Sequence, residues 1–514
     1  MSLFSSPLVL LLVFVLRVSC LRTEIFSKFR ELVHKEQYMR WGRGDFIEER
    51  TIKQPLNHSH PPTPKSITFQ QRYWVNLNYW NNSNGPVFLY IGGEFEMSGD
   101  YIDFGHVVEM AEQYRGLLFG VEHRFYGKST FEECMDNYNI TFLTSQQALA
   151  DLAQFVAFAR KFYNMTDANK WIAYGGSYAG SLSAWFRLKY PNLVVGAVAS
   201  SAPVEAKTDF QGYNNVAASS FASTLVGGSA KCRDNLKLAF NILDELIELE
   251  DFRKLAYDFR SCQKISCMND VWKFTINLEF IFDWIVQHNN ENGEYSIANV
   301  CRYMTYTDQT PYAKLVEFVQ VRPSYPLLFL LLVSSDGPKF FSDFLAYSGI
   351  PCLNNNYASF VTSLKNTTLD PTGRAWLRQW YYQKCSQFGY FQTCEANTSC
   401  VYSTLLADLP RFLDICLDLF GIPQNKVYEA VAFTNSDYGG KKPNGSRIVF
   451  VNGSIDPWHA LSVLTDLTTS EVAIFIPGTS HCANMYADSP EDPPALTAAR
   501  KEVSRLVGVW LQTY

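Results

Sequence analysis

Strand signals and helix signals alternate along two separated parts of this chain, and this alternation restricts the fold more than any other feature. In the first part, buried-strand runs occur at 86–91, 116–122, 171–174 and 194–199, and helical spacing occurs at 144–162 and 181–190. Strands that alternate with helices predict a parallel sheet with crossover connections. The fold class is therefore predicted to be α/β.

The alternation stops at about residue 205 and resumes with strand runs at 447–451 and 471–476. The signals between are mostly helical, and nine of the twelve cysteines lie there. A crossover between strands of one sheet needs about a dozen residues, far fewer than this interval contains. We therefore predict a large helical insertion, held together by disulfides, in an α/β domain. The predicted segments are 66–205 and 426–514 for the α/β domain and 206–425 for the insertion.

The beginning of the chain has the pattern of a secretory signal. An apolar run at 7–16 is followed by small residues, which predicts a signal peptide over 1–20. Residues 21–65 are polar and contain proline-rich stretches, so we interpret them as an N-terminal arm. A membrane span needs about twenty apolar residues. The apolar runs at 7–16 and 327–333 are shorter, so no membrane span is expected. The expected location is the secretory pathway, either endosome and lysosome or outside the cell.

Two further patterns agree with export. Apart from Cys20, eleven cysteines remain, so in an oxidising compartment most should pair and at least one is left over. Zinc is the competing interpretation, but the chain has no tight pair of C-x-x-C motifs. No metal and no cofactor are therefore expected. Eight glycosylation sequons occur, at Asn57, Asn81, Asn139, Asn164, Asn366, Asn397, Asn444 and Asn452.

One of these sequons is expected to stay unmodified. Asn452 ends a predicted strand of a sheet covered on both faces, where a glycan has no room. Asn81, by contrast, lies in a polar run that predicts an exposed turn. Most of the other seven sequons are expected to be occupied.

The strongest chemical signal is a serine between a predicted strand and a predicted helix. Ser177 lies in the sequence Tyr-Gly-Gly-Ser-Tyr-Ala-Gly over 174–180. This resembles the G-x-S-x-G pattern of a nucleophile elbow, with the small residue Ala179 at the last position. A plain tight turn is the alternative. The strand-turn-helix context favours a nucleophile.

A serine nucleophile needs a base and an acid that orients the base, which follow in the order Ser, Asp, His. Asp456 and His481 each follow a predicted strand of the second part, where α/β sheets place their ligands. His459 is also downstream of the serine, but it lies on the same short loop as Asp456. We therefore predict a catalytic triad of Ser177, Asp456 and His481.

The oxyanion of such a reaction needs two backbone N–H donors. One is predicted to be Tyr178, the residue after the nucleophile. The other is expected from the loop after the first strand, with Gly93 and Glu94 as candidates. Glu94 itself either faces the site or is a solvated loop acid.

Together these motifs resemble peptidase family S28, which includes prolyl carboxypeptidase and dipeptidyl peptidase II, and within it the branch of thymus-specific serine proteases. The segments that carry the resemblance are 71–75, 91–94, 122–127, 175–182, 199–203, 434–440 and 452–459.

The resemblance implies an α/β-hydrolase fold interrupted by a helical cap over the active site. It also implies a peptidase of an acid compartment, often with a preference for proline near the cut bond. One position departs from the pattern: residues 481–485 read His-Cys-Ala-Asn-Met, where the better-known relatives carry an acid shortly after the histidine.

The resulting hypothesis is a serine peptidase that forms an acyl-enzyme, with a cap that restricts it to the ends of short peptides. An esterase or lipase on the same fold and a non-catalytic binding relative are the alternatives. The formal net charge of -6 and the lack of a basic block give no indication of nucleic acid. The expected partners are peptide substrates, and a homodimer is left open.

Overall fold

The computed structural model describes residues 46–512 except 62, 290–295, 307, 320–351, 371 and 373–374. The predicted signal peptide, most of the predicted arm and the apolar run at 327–333 lie outside these residues. The described chain forms two compact units. The larger unit contains 46–216, Thr367–Gln392 and 416–512, and the helical unit contains Ala217–Asn366 and Thr393–Ile415.

An eight-stranded mixed sheet forms the centre of the larger unit, with strand order β1-β2-β4-β3-β5-β6-β9-β10. Its strands are β1 (Glu48–Pro55), β2 (Thr68–Asn76), β3 (Val87–Ile91), β4 (Leu117–Val121), β5 (Trp171–Gly176), β6 (Gly196–Ser200), β9 (Ile448–Gly453) and β10 (Glu471–Ile476). The short strands β7 (Lys207–Asp209) and β8 (Gly389–Phe391) pair with each other.

The six strands from β4 to β10 in this order run parallel, whereas β1 pairs with β2 and β2 with β4 in antiparallel fashion. The predicted alternation of strands and helices is confirmed. The predicted parallel sheet is present in these six strands. The antiparallel strands β1 and β2 extend it at one edge, and β1 lies in the segment that the sequence analysis interpreted as a polar arm.

The α-helices of the described residues follow in chain order as α1 (His106–Tyr114), α2 (Ser145–Phe162), α3 (Tyr178–Lys189), α4 (Gln211–Ala222), α5 (Ala230–Glu248), α6 (Phe252–Asp258), α7 (Met268–Gln287), α8 (Ile297–Tyr306), α9 (Pro311–Val319), α10 (Tyr357–Lys365), α11 (Leu377–Gln383), α12 (Leu409–Phe420), α13 (Gln424–Tyr438) and α14 (Pro494–Gln512). Helix α2 begins where predicted, because the Thr144 side chain accepts a hydrogen bond from the backbone N–H of Gln147.

Both faces of the sheet are covered by apolar side chains. Successive residues of a strand point to opposite faces, and in β3 Leu89 joins one buried cluster while Phe88 joins the other. Phe155 of α2 and Trp185 of α3 belong to the first cluster, and Trp510 of α14 belongs to the second. This two-sided burial explains why the strands appear in the sequence as continuous apolar runs.

The helical unit contains helices α5 to α10 and three disulfides, which join Cys232 to Cys301, Cys262 to Cys352 and Cys394 to Cys400. The larger unit contains a fourth disulfide, between Cys385 and Cys416. Three described cysteines, Cys134, Cys267 and Cys482, are unpaired, so most of the cysteines pair and an odd number is left over. The chain thus has an α/β-hydrolase fold interrupted in sequence by a disulfide-rich helical insertion.

Two sequons are buried in the larger unit. Asn452 lies in β9 and is 1% exposed, and its Nδ2 donates to the Val463 carbonyl at 3.1 Å. Asn139 is also buried, and its Nδ2 donates to the Glu133 carbonyl and to Asp136. A glycan on either nitrogen would have to displace this packing. Among the described residues, no helix combines the length and the apolar character needed to span a membrane.

Candidate active site

Ser177 occupies the turn between β5 and α3 in a conformation that residues with a Cβ rarely adopt. Its φ is 59° and its ψ is -133°, which marks a strained turn. Gly175 makes the turn possible, because a Cβ at this position would lie 2.2 Å from the carbonyl oxygen of Ala179. The half-buried Ser177 therefore lies at the carboxyl end of β5, in the strand-turn-helix context that the sequence predicted.

Asp456 and His481 meet at the same edge of the sheet. Asp456 follows β9 and His481 follows β10, and these neighbouring strands are parallel. The Nδ1 atom of His481 lies 2.9 Å from Oδ1 of Asp456, which also accepts from the backbone N–H of Trp458 at 3.0 Å. Asp456 is fully buried and His481 is 7% exposed. The structure thus joins the predicted acid to the predicted base.

The hydrogen bond to Asp456 determines which nitrogen of His481 remains for chemistry. Because a carboxylate can only accept, Nδ1 carries the proton, and in the neutral ring Nε2 is an acceptor. Nε2 is buried and has no hydrogen-bond partner among the described residues, so its contact with the Ser177 hydroxyl is not formed in this structure. Such bonds often form only when substrate is bound.

Burial and charge act in opposite directions on the pKa of His481. Burial lowers this pKa because it disfavours the imidazolium ion, whereas the negative charge of Asp456, the hydrogen bond to it and the neighbouring Cys482 raise the pKa. Together these contributions outweigh the burial, and the pKa lies well above the ordinary value of 6.5. Asp456 therefore stabilises the charged form that His481 adopts when it accepts a proton.

The loop that carries His481 is held by residues that the sequence analysis did not single out. The backbone N–H of Cys482 donates to Oγ of Ser201 at 2.8 Å, and Nδ2 of Asn484 donates to Oγ of Ser200 at 2.8 Å. Arg500 of α14 donates to the Ala483 carbonyl at 3.1 Å. These contacts join β6, α14 and the histidine loop, so they fix the position of His481 relative to the sheet.

The loop after β3 lies against the start of α3. A Cβ placed on Gly93 would lie 3.5 Å from Cβ of Ala179, and the backbone N–H of Gly92 donates to the Val121 carbonyl at 2.8 Å. Tyr178 is the first residue of α3, so its N–H has no acceptor within the helix. The amides of Gly93, Glu94 and Tyr178 therefore belong to two adjoining segments beside Ser177.

His459 has a different environment from His481. Its Nδ1 atom lies 3.0 Å from the Gly453 carbonyl oxygen, and its ring contacts Phe475 edge-on. Burial is the main cause that lowers its pKa. These local contacts agree with the sequence argument that preferred His481.

Aromatic rings surround the Asp456–His481 pair on one side. The ring centroid of Trp458 lies 6.4 Å from that of His481 and 5.5 Å from that of Tyr390. Phe210 and Tyr213 contact the same indole at 5.6 and 5.5 Å. Tyr390, Phe210 and Tyr213 fall in the range that the sequence assigned to the insertion, and nothing in their local pattern indicated a contact with Trp458.

Comparison with known proteins identifies the family. The profile of the serine carboxypeptidase S28 family matches residues 62–503. The chain belongs to this family. The human thymus-specific serine protease (Homo sapiens) is 35% identical over 453 residues, which cover 87% of this chain and 83% of that protein. The bovine lysosomal Pro-X carboxypeptidase (Bos taurus) is 26% identical over 471 residues, which cover 87% and 85%.

A putative serine protease of Caenorhabditis elegans is 33% identical over 483 residues, which cover 91% of this chain and 89% of that protein. The resemblance to family S28 and to thymus-specific serine proteases that the motifs indicated is confirmed. This S28 protein is accordingly a serine-type peptidase. Within its described residues, no group of three or more His, Cys, Asp or Glu side chains is arranged to hold a metal ion.

Proposed function

We propose that this S28 peptidase cleaves peptide bonds through a triad of Ser177, His481 and Asp456. The observation that carries the proposal is the Asp456–His481 hydrogen bond, with its free Nε2, at the same sheet edge as the strained Ser177 turn. Oγ of Ser177 attacks the substrate carbonyl while Nε2 of His481 takes its proton. Asp456 holds the ring in the required tautomer and stabilises the imidazolium.

The remaining steps use the same groups. His481 donates its proton to the leaving amine, and an acyl-enzyme on Ser177 remains. Water then attacks the acyl carbon with His481 as base, which releases the carboxylic acid and restores the serine. The N–H of Tyr178 and a second N–H, from Gly93 or Glu94, stabilise the oxyanion in both steps.

We also propose that the substrates are short peptides cut near an end, with a preference for proline beside the cut bond. The support is the similarity to lysosomal Pro-X carboxypeptidases, at 26% identity for the bovine protein. Cleavage rates of matched peptides show which end is recognised. One pair of peptides has a free or an amidated carboxyl end, and the other pair has a free or an acetylated amino end. Equal rates on all four, or equal rates on short peptides and folded proteins, would contradict exopeptidase activity.

The nucleophile is tested with the purified protein and a fluorophosphonate probe. The wild type is expected to be labelled and to hydrolyse peptides, and Ser177→Ala is expected to lose both while it folds normally. Hydrolysis of fatty-acid esters at much higher rates than peptides would favour the esterase alternative. A folded wild type that takes up no label would favour a non-catalytic relative.

The proposed location is the secretory pathway, ending in the endosome and lysosome or outside the cell. The described disulfides favour an oxidising compartment, and relatives in this family are named as lysosomal. Sequencing of the mature amino terminus tests the proposed cleavage near residue 20. An intact Met1 in the protein from cells would contradict it.

A further inference from the structure

The side chain of Tyr178 is tied into a buried hydrogen-bond network on the side of the residue away from its backbone amide. Its hydroxyl lies 3.0 Å from Nε2 of His123 and accepts from Nε2 of Gln383 at 2.9 Å. Oε1 of Gln383 accepts in turn from the Tyr126 hydroxyl at 2.5 Å. All four residues belong to the larger unit, yet they come from the segment after β4, from α3 and from α11.

The directions of these bonds are determined by one backbone carbonyl. Nδ1 of His123 lies 2.7 Å from the carbonyl oxygen of Arg124, which can only accept, so Nδ1 carries the proton. Nε2 of His123 is then an acceptor, and the Tyr178 hydroxyl donates to it. The Tyr178 oxygen remains as acceptor for the Gln383 amide. The hydrogen bonds therefore run in one direction, and the chain of donors ends at the Arg124 carbonyl.

The network is closed to solvent. His123 is 4% exposed, Tyr178 is 1% exposed, and Tyr126 and Gln383 are fully buried. Burial is the main cause that lowers the pKa of His123, to about 4, so the ring is neutral in the range where an acid-compartment enzyme works. Loss of any member leaves a buried polar group without its partner, which costs about 1–3 kcal/mol.

This network is relevant to catalysis because Tyr178 is the first residue of α3, so its backbone amide directly follows Ser177. Oxyanion donors act only within about 2.7–3.1 Å of the developing charge, so small displacements of the amide are costly. The Tyr178 ring also contacts Phe388 and Trp380, with centroids 5.2 and 5.9 Å apart. Those rings restrict its position laterally. The two hydrogen bonds fix the distance of the side chain, and with it the amide, from the segment after β4 through His123 and from α11 through Gln383.

We propose that His123 and Gln383 are positioning residues for the oxyanion-binding amide of Tyr178. This inference rests on the proposed function, in which that amide stabilises the oxyanion. The two residues touch no reacting atom and act through the phenol ring between them.

The test compares Tyr178→Phe and His123→Leu with a matched control, Tyr438→Phe. Tyr438 is also buried, also bonds through its hydroxyl, to Oγ of Ser145 at 3.0 Å, and also packs on α3, with its ring 4.1 Å from that of Trp185. The control removes the same atom from a ring that packs against the same helix, away from the turn. All three variants are expected to lose similar stability in thermal unfolding.

The two network variants are expected to lose about tenfold in kcat with KM changed less than twofold. Their affinity for a peptide boronate, which imitates the tetrahedral intermediate, should fall by the same factor, and the control should retain wild-type values. His123→Gln, which restores an acceptor, is expected to recover part of kcat. Because Tyr178→Phe keeps the aromatic ring, this variant still tests the positioning role if His123→Leu does not fold.

The two hypotheses fail in different ways. Turnover that persists in Ser177→Ala would overturn the proposed function. The positioning role is overturned if Ser177→Ala is inactive while Tyr178→Phe and His123→Leu keep the kcat and boronate affinity of Tyr438→Phe.

Discussion

The two units of this peptidase differ in the surroundings of their buried carboxyl groups. In the larger unit, the fully buried Arg124 and Asp151 meet at 2.6 Å through two charge-assisted hydrogen bonds. Arg72 reaches Glu122 at 2.6 Å in a similar pair. An opposite charge thus lies beside each of these two buried carboxyl groups, although burial still raises the pKa of Glu122.

The helical unit contains four buried carboxyl groups among its described residues. Asp258 pairs with Lys254 at 2.7 Å, whereas the other three form no ion pair with a described residue. Asp244 of α5 accepts from Oγ of Ser403 at 2.5 Å and from the backbone N–H of Thr404 at 3.0 Å. Glu279 and Asp283 lie one turn apart on α7 and are both buried.

Burial is the main cause that raises the pKa of all three carboxyl groups, to about 7 for Asp283, and for Glu279 the charges of Asp283 and Asp244 add to it. Without an opposite charge beside it, a buried carboxyl is neutralised by taking up a proton. Low pH therefore favours the folded state through these three groups. In the larger unit, Glu122 shares this dependence because burial also raises its pKa.

The largest effect is expected when a paired charge of the larger unit is removed at the proposed site. Asp456→Asn should lower kcat/KM about 10⁴-fold, because the ring of His481 loses its tautomer and its counter-ion. The pKa of His481 should also fall, since Asp456 raises it. His481 acts as a base only when deprotonated, so the acid limb of the residual pH profile should move to lower pH. Asp167→Asn, an exposed aspartate, is the control.

A second paired charge tests stability rather than rate. Arg124→Met removes both charge-assisted hydrogen bonds from the buried Asp151 and leaves it only the contact with Nε2 of His58 at 2.7 Å. The change should cost about 3–5 kcal/mol in unfolding free energy. The matched change at the surface, Arg505→Met, removes an exposed pair with Glu502 and should leave the unfolding free energy nearly unchanged. Equal costs in denaturant titrations would contradict the distinction between buried and exposed pairs.

The contrasting prediction concerns the unpaired carboxyls of the helical unit. A group whose pKa is raised in the folded state stabilises it fully below the unfolded pKa, near 4, and this stability is lost as pH rises through the folded pKa, about 7 for Asp283. Asp283→Asn should remove much of this pH dependence. At neutral pH the variant should therefore be more stable than the wild type by roughly 3 kcal/mol in unfolding free energy. Thermal unfolding from pH 4 to 8, with the exposed Asp308→Asn as control, measures it. Parallel curves for the wild type and Asp283→Asn would refute the prediction.

The smallest expected effect concerns glycans. The helical unit presents exposed sequons at Asn366 and Asn397, whereas Asn139 and Asn452 in the larger unit are buried. Glycopeptide mass spectrometry should find glycans on the exposed pair and none on the buried pair. Asn397→Gln should remove one glycan and change stability by less than about 0.5 kcal/mol. Occupied Asn452 in active enzyme would mean that β9 is misplaced.

The placement of Ser177, Asp456 and His481 was predictable because it depends on local rules. Apolar runs define β5, β9 and β10, and parallel strands end at one edge, so residues just after them converge. Strand β1 escaped prediction because its exposed and buried positions alternate at the edge of the sheet and carry charged side chains. Helix α3 begins at Tyr178, three residues before the predicted start, because the strained serine initiates it directly.

Other features could not be predicted because they depend on contacts distant in sequence. Arg500 holds the histidine loop from α14, and Gln383 reaches Tyr178 from α11. Neither residue belongs to a motif, and each acquires its role only when the sheet has assembled. The antiparallel register of β1 with β2 has the same origin, since pairing rather than composition identifies that edge.

The strand order of the sheet determines how late during synthesis the sheet and the site can be completed. Strand β6 pairs with β9, although the whole helical unit is synthesised between them. A nascent chain therefore carries its serine turn for most of its synthesis without its acid or its base, with one edge of β6 unpaired and in need of protection from other chains. Peptide hydrolysis by the proposed triad is therefore not expected until β9, β10 and the loops that follow them have been synthesised.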